Sequence, residues 1–410
     1  MTIPTSRELL LSAISCETPP RVPCCLMSFR IMRDRCRNWY EVAQREKEMG
    51  LDPMLFIPPA ERHERPEHPE LRGLPIRFHP EVVTREWKES PVEAPYPLLH
   101  KRYETPAGIL STAVSQTDDW PHGNHIPFID DYQIARAQKN LVTEIRDLEV
   151  LRYLLIPPTV EDIAAFRRQA EQARHFTRKH GMLASGGWGV GADMVGWLCG
   201  LEKMIYLAVD EPEFLEALFE VIGEWNRERM AIILESGVDL YIRRGWYECC
   251  QFWSPALYRR FILPHLKREA EMAHQAGCKF GYIMTMSTGP LLDMFVEAGI
   301  DVLIGVDPSP AARNDLLLMK EKLRGKVCLW GGIDAAHTVE LGTAEEVRHE
   351  TERALQLLGP DGFILSPVDN LTVDTPQTWS NLRIVIKTWQ EFSGIRAAPL
   401  PTEEPSAPED

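Results

Sequence analysis

Three carboxylates follow short apolar runs that are typical of β-strands, and they are the first candidates for chemistry. Glu248 comes shortly after one run, Asp307 ends a second and Asp369 follows a third. Carboxylates that converge raise one another's pKa, so that one can act as an acid while another acts as a base. We predict all three as catalytic residues. Asp307 and Asp369 could instead cap the helices that follow them, and this alternative stays open.

Arg243 ends an apolar run that contains Leu240 and Ile242. Because side chains alternate along a strand, we expect Leu240 and Ile242 to pack against helices and Arg243 to point inward. A buried guanidinium must be paired or must bind an anion. Arg243 is therefore either an anchor for a negatively charged group of the substrate or the partner of a strand carboxylate such as Asp307.

Three tryptophans, Trp188, Trp246 and Trp330, stand beside glycines. Glycine lets the backbone approach a ligand, and an indole ring offers that ligand a flat apolar wall. The pattern predicts a site that binds a stacked aromatic or methoxy-aromatic compound, although ordinary barrel packing would use the same residues. Asn370, next to Asp369, is a further substrate-binding candidate.

These residues must be positioned by short apolar runs that alternate with long amphipathic stretches. Eight runs are predicted as strands: 21–27, 52–57, 182–185, 239–243, 279–286, 301–306, 327–330 and 362–366. The alternation indicates parallel βα units, and eight of them can close a barrel. We predict an α/β fold, a single (β/α)8 TIM barrel over 1–396, with 58–140 as an elaborated mouth insertion containing β-hairpins. Residues 397–410, rich in Pro and Glu, are predicted as a disordered tail.

The composition excludes several classes of protein. Of 410 residues 44% are hydrophobic, and 60 acidic side chains against 45 Lys and Arg give a formal net charge of −15. No basic block is present, so neither a nucleic acid nor an anionic membrane is expected as a partner. No apolar run could span a bilayer, and Arg7 and Glu8 fall where a signal peptide would be apolar. We expect a cytoplasmic protein whose nine cysteines are reduced.

One group of short phrases lies outside 58–140. They are ETPPRVP (17–23), SPALY (254–258), LP (263–264), HQAG (274–277), PLL (290–292), EAGID (297–301), WGGI (330–333), ILSP (364–367) and DTP (374–376). Together they resemble the uroporphyrinogen decarboxylase superfamily. The resemblance implies a β/α barrel with its site at the C-terminal mouth. That superfamily contains tetrapyrrole decarboxylases and zinc-dependent methyltransferases that exchange methyl groups with corrinoid proteins.

The chain departs from the decarboxylase branch at three places. The arginine-rich phrase of that branch would fall on 27–33, where only its basic character survives and Arg30 is kept as a substrate-binding candidate. Its aspartate after the second strand would fall on FIPP (56–59), and its late histidine near Asp369. A true uroporphyrinogen decarboxylase is therefore not expected.

The methyltransferase branch binds zinc through a His-x-Cys phrase and a later Cys. The corresponding positions here are Met284, Met286 and Val368, which cannot replace imidazole or thiolate, so zinc is not expected at that site. Met284 and Met286 are interpreted as apolar walls of the substrate pocket. Either no metal is bound or the three candidate carboxylates hold one, and no tightly bound cofactor is expected.

The resemblance implies an enzyme that moves a methyl group between a small donor, such as a methoxy-aromatic compound, and the corrinoid of a partner protein. Decarboxylation of a small carboxylic acid, with Arg243 holding the carboxylate, is the alternative reaction. A catalytically silent barrel that binds a small molecule is the third alternative. The sequence also leaves homodimer formation open.

Overall fold

The structure is a computed structural model that describes residues 4–59, 67, 71–92 and 94–395. Its strands are β1 (Met54–Phe56), β2 (Val83–Glu89), β3 (Leu98–Thr105), β4 (Gly108–Ser115), β5 (Ala137–Lys139), β6 (Leu183–Gly189), β7 (Leu240–Arg244), β8 (Lys279–Ile283), β9 (Val302–Val306), β10 (Cys328–Asp334) and β11 (Phe363–Val368). Within these residues β1 and β6 to β11 form one parallel sheet, in the order β1-β6-β7-β8-β9-β10-β11. The predicted α/β class is confirmed.

Helices occupy the connections between these strands. They are α1 (Ser6–Ile14), α2 (Arg30–Arg33), α3 (Trp39–Glu48), α4 (Asp131–Ile134), α5 (Asp147–Leu151), α6 (Val160–His180), α7 (Ala192–Cys199), α8 (Leu201–Asp210), α9 (Pro212–Glu235), α10 (Pro255–Phe261), α11 (Leu263–Gln275), α12 (Leu292–Ala298), α13 (Leu316–Leu323), α14 (Ala344–Leu358) and α15 (Pro376–Phe392). Local sequence explains many of their ends. Thr159 and Thr343 each close a capping box at the start of α6 and α14. None of these helices, within the described residues, is long and apolar enough to cross a membrane.

The segment predicted as the first strand, 21–27, is extended but is not a strand. It makes isolated parallel bridges between Cys24 and Leu365 of β11 and between Ser28 and Asn370. On its other side the Asp52 N–H donates to the Cys24 carbonyl at 2.8 Å, just before β1. The segment therefore lies between the two edge strands of the parallel sheet. Seven strands are shown in the described residues, and an eighth remains a prediction.

Two apolar layers cover the two faces of the parallel sheet. One cluster contains Leu183, Leu240, Ile242, Ile304 and Ile364 and fills the concave interior. The other lies between the sheet and the helices, and it includes the alternate strand positions Tyr241, Phe280, Leu303, Leu329 and Phe363. Because each strand is buried on both faces, its sequence shows little contrast between inward and outward positions.

Strands β2 to β5 form a separate antiparallel sheet inside the predicted insertion 58–140. β3 and β4 pair across a turn that joins Thr105 to Gly108. After β4 the chain returns to the carboxyl ends of the parallel strands, where α4 begins at Asp131. Positions 60–66, 68–70 and 93 of the predicted insertion, and the predicted tail 397–410, lie outside the described residues.

Candidate active site at the carboxyl ends of the strands

The side chains of β7 point to the opposite faces of the sheet from those that the sequence predicted. Leu240 and Ile242 belong to the interior cluster, and Tyr241 packs in the cluster under the helices. Arg243 consequently points toward α11, where its Nε lies 3.2 Å from Glu269 Oε2. The predicted inward orientation of Arg243 is wrong, because a strand with two buried faces gives no sign of which face is which. Arg244, the next residue, is the one that lies at the mouth.

Arg243 is the centre of a buried ionic network. Its side chain is fully buried, and Nη2 donates to Glu248 Oε1 at 2.7 Å. Glu248 also accepts from the Ala192 N–H at 2.8 Å and from the Tyr282 hydroxyl. Burial lowers the pKa of Arg243, but Glu248 and Glu269 outweigh it and raise the pKa above that of free arginine. Arg243 is therefore paired, as one alternative held, although its partners are these two glutamates and not Asp307.

Glu248 belongs to this network and does not join Asp307 and Asp369. Burial raises its pKa to about 7, while the Arg243 charge opposes that shift. A Cβ at Gly191 would come within 1.8 Å of Arg243 Nη2 and 2.3 Å of Glu248 Oε1, so the network leaves room for glycine alone at this position. Glu248 thus lies between β7 and the helices, where the structure gives it a pairing role.

Arg244 binds two aspartates and two tryptophan rings at the mouth. Its Nε lies 2.7 Å from Asp193 Oδ2 and its Nη2 lies 2.9 Å from Asp131 Oδ2. Its guanidinium carbon is 4.6 Å from the ring centroids of both Trp197 and Trp246. Sequence reasoning did not select Arg244, and the double arginine at a strand end was the signal that could have found it.

Three aromatic side chains form a row across the mouth, which we call the aromatic row: Phe56, Trp188 and Trp246. Phe56 and Trp188 have ring centroids 5.4 Å apart, and Trp188 and Trp246 are 5.9 Å apart. All three contact the interior cluster. Arg72 lies at the far end, 4.3 Å from the Phe56 centroid and 4.6 Å from that of Trp188. Two of the three predicted tryptophans therefore lie together at the mouth.

Trp188 is held in an unusual backbone conformation. Its φ is 103°, and the pairing of β6 with β7 shifts register between Gly187 and Gly189. A bulky residue with positive φ is an outlier, and a bulge at a strand end re-aims the side chain that it carries. The bulge thus directs the indole of Trp188 to its place between Phe56 and Trp246. Trp330, in contrast, is fully buried in the interior cluster, and its indole N–H donates to the Cys25 carbonyl at 2.9 Å.

Asp307 and Asp369 lie directly after β9 and β11, and the charge of Asp307 acts on Asp369. Asp307 is half-buried and accepts from the Ser309 N–H at 2.8 Å, so it does cap the following turn. Asp369 keeps part of its surface accessible to solvent. The protein around its carboxyl raises the pKa of Asp369 by desolvation, and the Asp307 charge raises it further. Burial likewise raises the pKa of Asp307. These two carboxyls are thus able to hold a proton closer to neutral pH than free aspartate does.

The remaining candidates have more peripheral places. The Asn370 side chain accepts from the Arg30 N–H at 3.1 Å, and the Arg30 side chain is exposed with Asp34 at 3.8 Å. Met284 is fully buried in the cluster under the helices, and Met286 is half-buried against the same cluster. The structure thus places Asn370 at the mouth, whereas Met284 belongs to the core.

No three His, Cys, Asp or Glu side chains in the described ranges are placed to hold a metal ion. The alternative ligand set of Glu248, Asp307 and Asp369 is therefore not assembled, because Glu248 faces the helices. The chemistry that the mouth offers consists of two carboxyls with raised pKa values, a set of mutually tilted aromatic rings, and an arginine already held by two aspartates.

Comparison with known proteins assigns the family. A family model described as Uroporphyrinogen decarboxylase (URO-D) matches residues 136–392, so this chain belongs to the uroporphyrinogen decarboxylase family. The predicted resemblance is confirmed. The match begins just before β5, which leaves β1 to β4 outside it.

Individual relatives agree with this assignment. The uroporphyrinogen decarboxylases of two strains of Thermus thermophilus are 33% and 32% identical to this chain over 187 residues. The match covers 43% of this chain and 50% of each relative, so the chain spans about half the length of the curated relatives it matches. A methyltransferase from Methanosarcina mazei shares the fold, with a TM-score of 0.56 and 14% identity over 95% of this chain and 99% of that one.

Proposed function

We propose that this chain is an enzyme that transfers a methyl group from a small methoxy-aromatic donor to the corrinoid of a partner protein. We further propose that its parallel sheet closes into a (β/α)8 barrel, with the segment 23–28 in the eighth position. The aromatic row is the observation that carries the function. Its neighbouring ring planes are inclined by 76° and 58°, and together the three rings offer a donor ring an apolar aromatic surface at the mouth.

The residues of the mouth divide the work in this proposal. The donor ring packs against Trp188 and Trp246, whose ring planes are 58° apart, and these contacts fix the direction of its methoxy group. When the methyl group leaves, the C–O bond breaks and its electron pair stays on the oxygen, which takes a proton from the Asp369 carboxyl. The raised pKa of Asp369 suits a general acid, because more of the protonated form is present near neutral pH. The partner's corrinoid, in its reduced form, would supply the electron pair for the new bond to the methyl carbon.

Pairing of the arginines argues against the decarboxylation alternative. That reaction was predicted on the basis of an Arg243 that could hold the carboxylate of a substrate. Arg243 is fully buried and paired with Glu248 and Glu269, and Arg244 is held by Asp193 and Asp131. The fold shared with a protein named as a methyltransferase is consistent with methyl transfer.

The test supplies the purified protein with methoxybenzenes and a reduced corrinoid, free or on a carrier protein. We expect phenol and methylated corrinoid to appear in equal amounts, and Trp188→Leu to weaken donor binding. Release of CO₂ from a small aromatic acid, with no methyl transfer, would establish the decarboxylase alternative. Binding of the donor with no turnover, whether the corrinoid is free or on a carrier protein, would identify a catalytically silent barrel that binds a small molecule.

A further inference from the structure

A small cavity lies beside the mouth, between α3, β1 and the extended segment before α2. We call it the β1 cavity. Its volume is about 40 Å³, and its walls are Leu26, Met27, Ser28, Phe29, Trp39, Val42, Ala43, Glu46, Met54, Leu55, Phe56 and Arg72. At roughly 10 to 15 Å³ per water-sized centre, it has room for about three heavy atoms.

Glu46 is a carboxyl in an otherwise apolar position. It lies on the same face of α3 as Val42 and Ala43, which are both buried, and only 6% of its surface is exposed. Among the described residues its carboxyl makes no hydrogen bond and no ion pair. Buried polar groups are nearly always hydrogen-bonded, so a carboxyl that faces a cavity without a partner indicates a ligand that supplies one.

The protonation state of Glu46 defines what that ligand can be. Burial raises the pKa of Glu46 to about 8, so the neutral acid predominates at pH 7 and offers an O–H donor to the cavity. Apart from Ser28 and Arg72, the other side chains of the lining are apolar or aromatic. Arg72, the other ionisable side chain of the lining, lies over the rings of Phe56, Trp188 and Trp39. An uncharged group with an acceptor oxygen can accept a hydrogen bond from the neutral Glu46 acid in this environment.

The β1 cavity is next to the proposed donor site. Phe56 is both a wall of the cavity and the first ring of the aromatic row. Ser28, another wall, makes the bridge to Asn370, which follows Asp369. A ligand whose ring packs beside Phe56 could therefore place a short substituent in the cavity.

We propose that the β1 cavity is a subsite for a small uncharged ether or alcohol group, and that Glu46 donates a hydrogen bond to the oxygen of that group. The proposal deepens the proposed function, because it adds a second oxygen-bearing substituent to the aromatic donor. It does not depend on methyl transfer, however, since binding can be measured without any methyl acceptor.

The test compares two probes of similar shape, anisole and ethylbenzene, which differ in the ether oxygen. Quenching of tryptophan fluorescence reports binding near Trp39 and Trp188. Infrared difference spectra report whether the C=O stretch of the neutral Glu46 acid shifts when anisole binds. We expect wild-type protein to prefer anisole by about tenfold, as one additional hydrogen bond would give, and the C=O stretch to shift.

Three variants separate ligand binding from structural effects. Glu46→Gln retains a hydrogen-bond donor and should keep the preference for anisole, whereas Glu46→Leu should abolish it. Glu48→Leu, on the exposed side of the same helix, is the matched control and should keep it. Equal affinity of wild-type protein for both probes, or an unchanged preference in Glu46→Leu, overturns the proposal. If anisole binds with this preference but no methyl transfer occurs, the subsite stands and the proposed reaction fails.

Discussion

Arg243 and Arg244 are adjacent in the chain, but their guanidinium groups lie on opposite faces of β7. Arg243 pairs with Glu248 and Glu269 beneath the helices, whereas Arg244 reaches Asp193 and the tryptophans of the mouth. One strand therefore joins a buried ionic network to the candidate site. The roles of the two arginines follow from this geometry and can be tested separately.

Replacement of Arg243 by methionine should destabilise the fold and leave ligand affinity unchanged. The variant leaves two buried carboxylates without their cationic partner, which is expected to reduce the free energy of unfolding by about 3 to 5 kcal/mol. Urea denaturation and the affinity for anisole, measured on the same protein, check both parts. Arg259→Met, which removes a half-exposed partner of Glu297, is the control and should cost less than about 1 kcal/mol. A stable Arg243→Met protein with weakened binding would restore the anchor interpretation.

Replacement of Gly191 by alanine should disturb the same network by a different route. The added Cβ would overlap Arg243 and Glu248, so we expect a loss of about 1 to 3 kcal/mol from overpacking. Gly289→Ala is a suitable comparison, because a Cβ at Gly289 would meet nothing within 4 Å. Thermal unfolding of the two variants measures the difference. Equal melting temperatures would show that the network can shift without loss.

Glu46 should make the stability of the protein fall as pH rises. Its pKa is about 8 in the folded state and about 4.5 when unfolded, so the folded state binds more protons between these values. The contribution of Glu46 to the free energy of unfolding is therefore fully present below about pH 4.5. It declines by on the order of 4 kcal/mol as the pH rises to 8. The thiols of Cys24, Cys25 and Cys36 have pKa values raised above this range, and Arg72 is the charged side chain that lines the cavity together with Glu46.

The measurement is the free energy of unfolding of wild-type protein and Glu46→Leu between pH 5 and 8. Leucine removes the titrating group, so the variant should gain stability relative to wild type as pH increases. Subtraction of the two curves cancels the contributions of other carboxyls with raised pKa values, such as Asp307 and Asp369. Parallel curves would mean that the pKa of Glu46 is not raised in the folded protein.

Asp369→Asn should lower the rate of the proposed reaction while it preserves the fold. Asparagine keeps the size of the side chain and tolerates the left-handed backbone at this position, where φ is 68°. It cannot act as an acid, so kcat for methyl transfer should decrease by about 10² to 10⁴. Asp293→Asn, an exposed partner of Lys322, should have no effect on the rate. Full activity in Asp369→Asn would remove this residue from the mechanism.

The periodic features of this fold could be predicted from the sequence, because they depend on local patterns. Short apolar runs at 239–243, 301–306 and 362–366 predicted strands, and the structure has β7, β9 and β11 there. The family phrases were found for the same reason, since each is a few residues long. The run at 21–27 was apolar enough to be a strand, but the structure shows only isolated bridges there in the described residues.

The candidate site was decided by contacts that no local pattern contains. Alternation along β7 identified two sets of residues, but its period of two does not say which set faces the interior when both faces are buried. That choice placed Arg244 at the mouth and Arg243 under the helices. Arg244 finds Asp131, 113 residues away, because the chain returns from the antiparallel sheet to the strand ends. The unpaired carboxyl of Glu46 was equally invisible, since the sequence shows a glutamate on a helix but not the cavity that it faces.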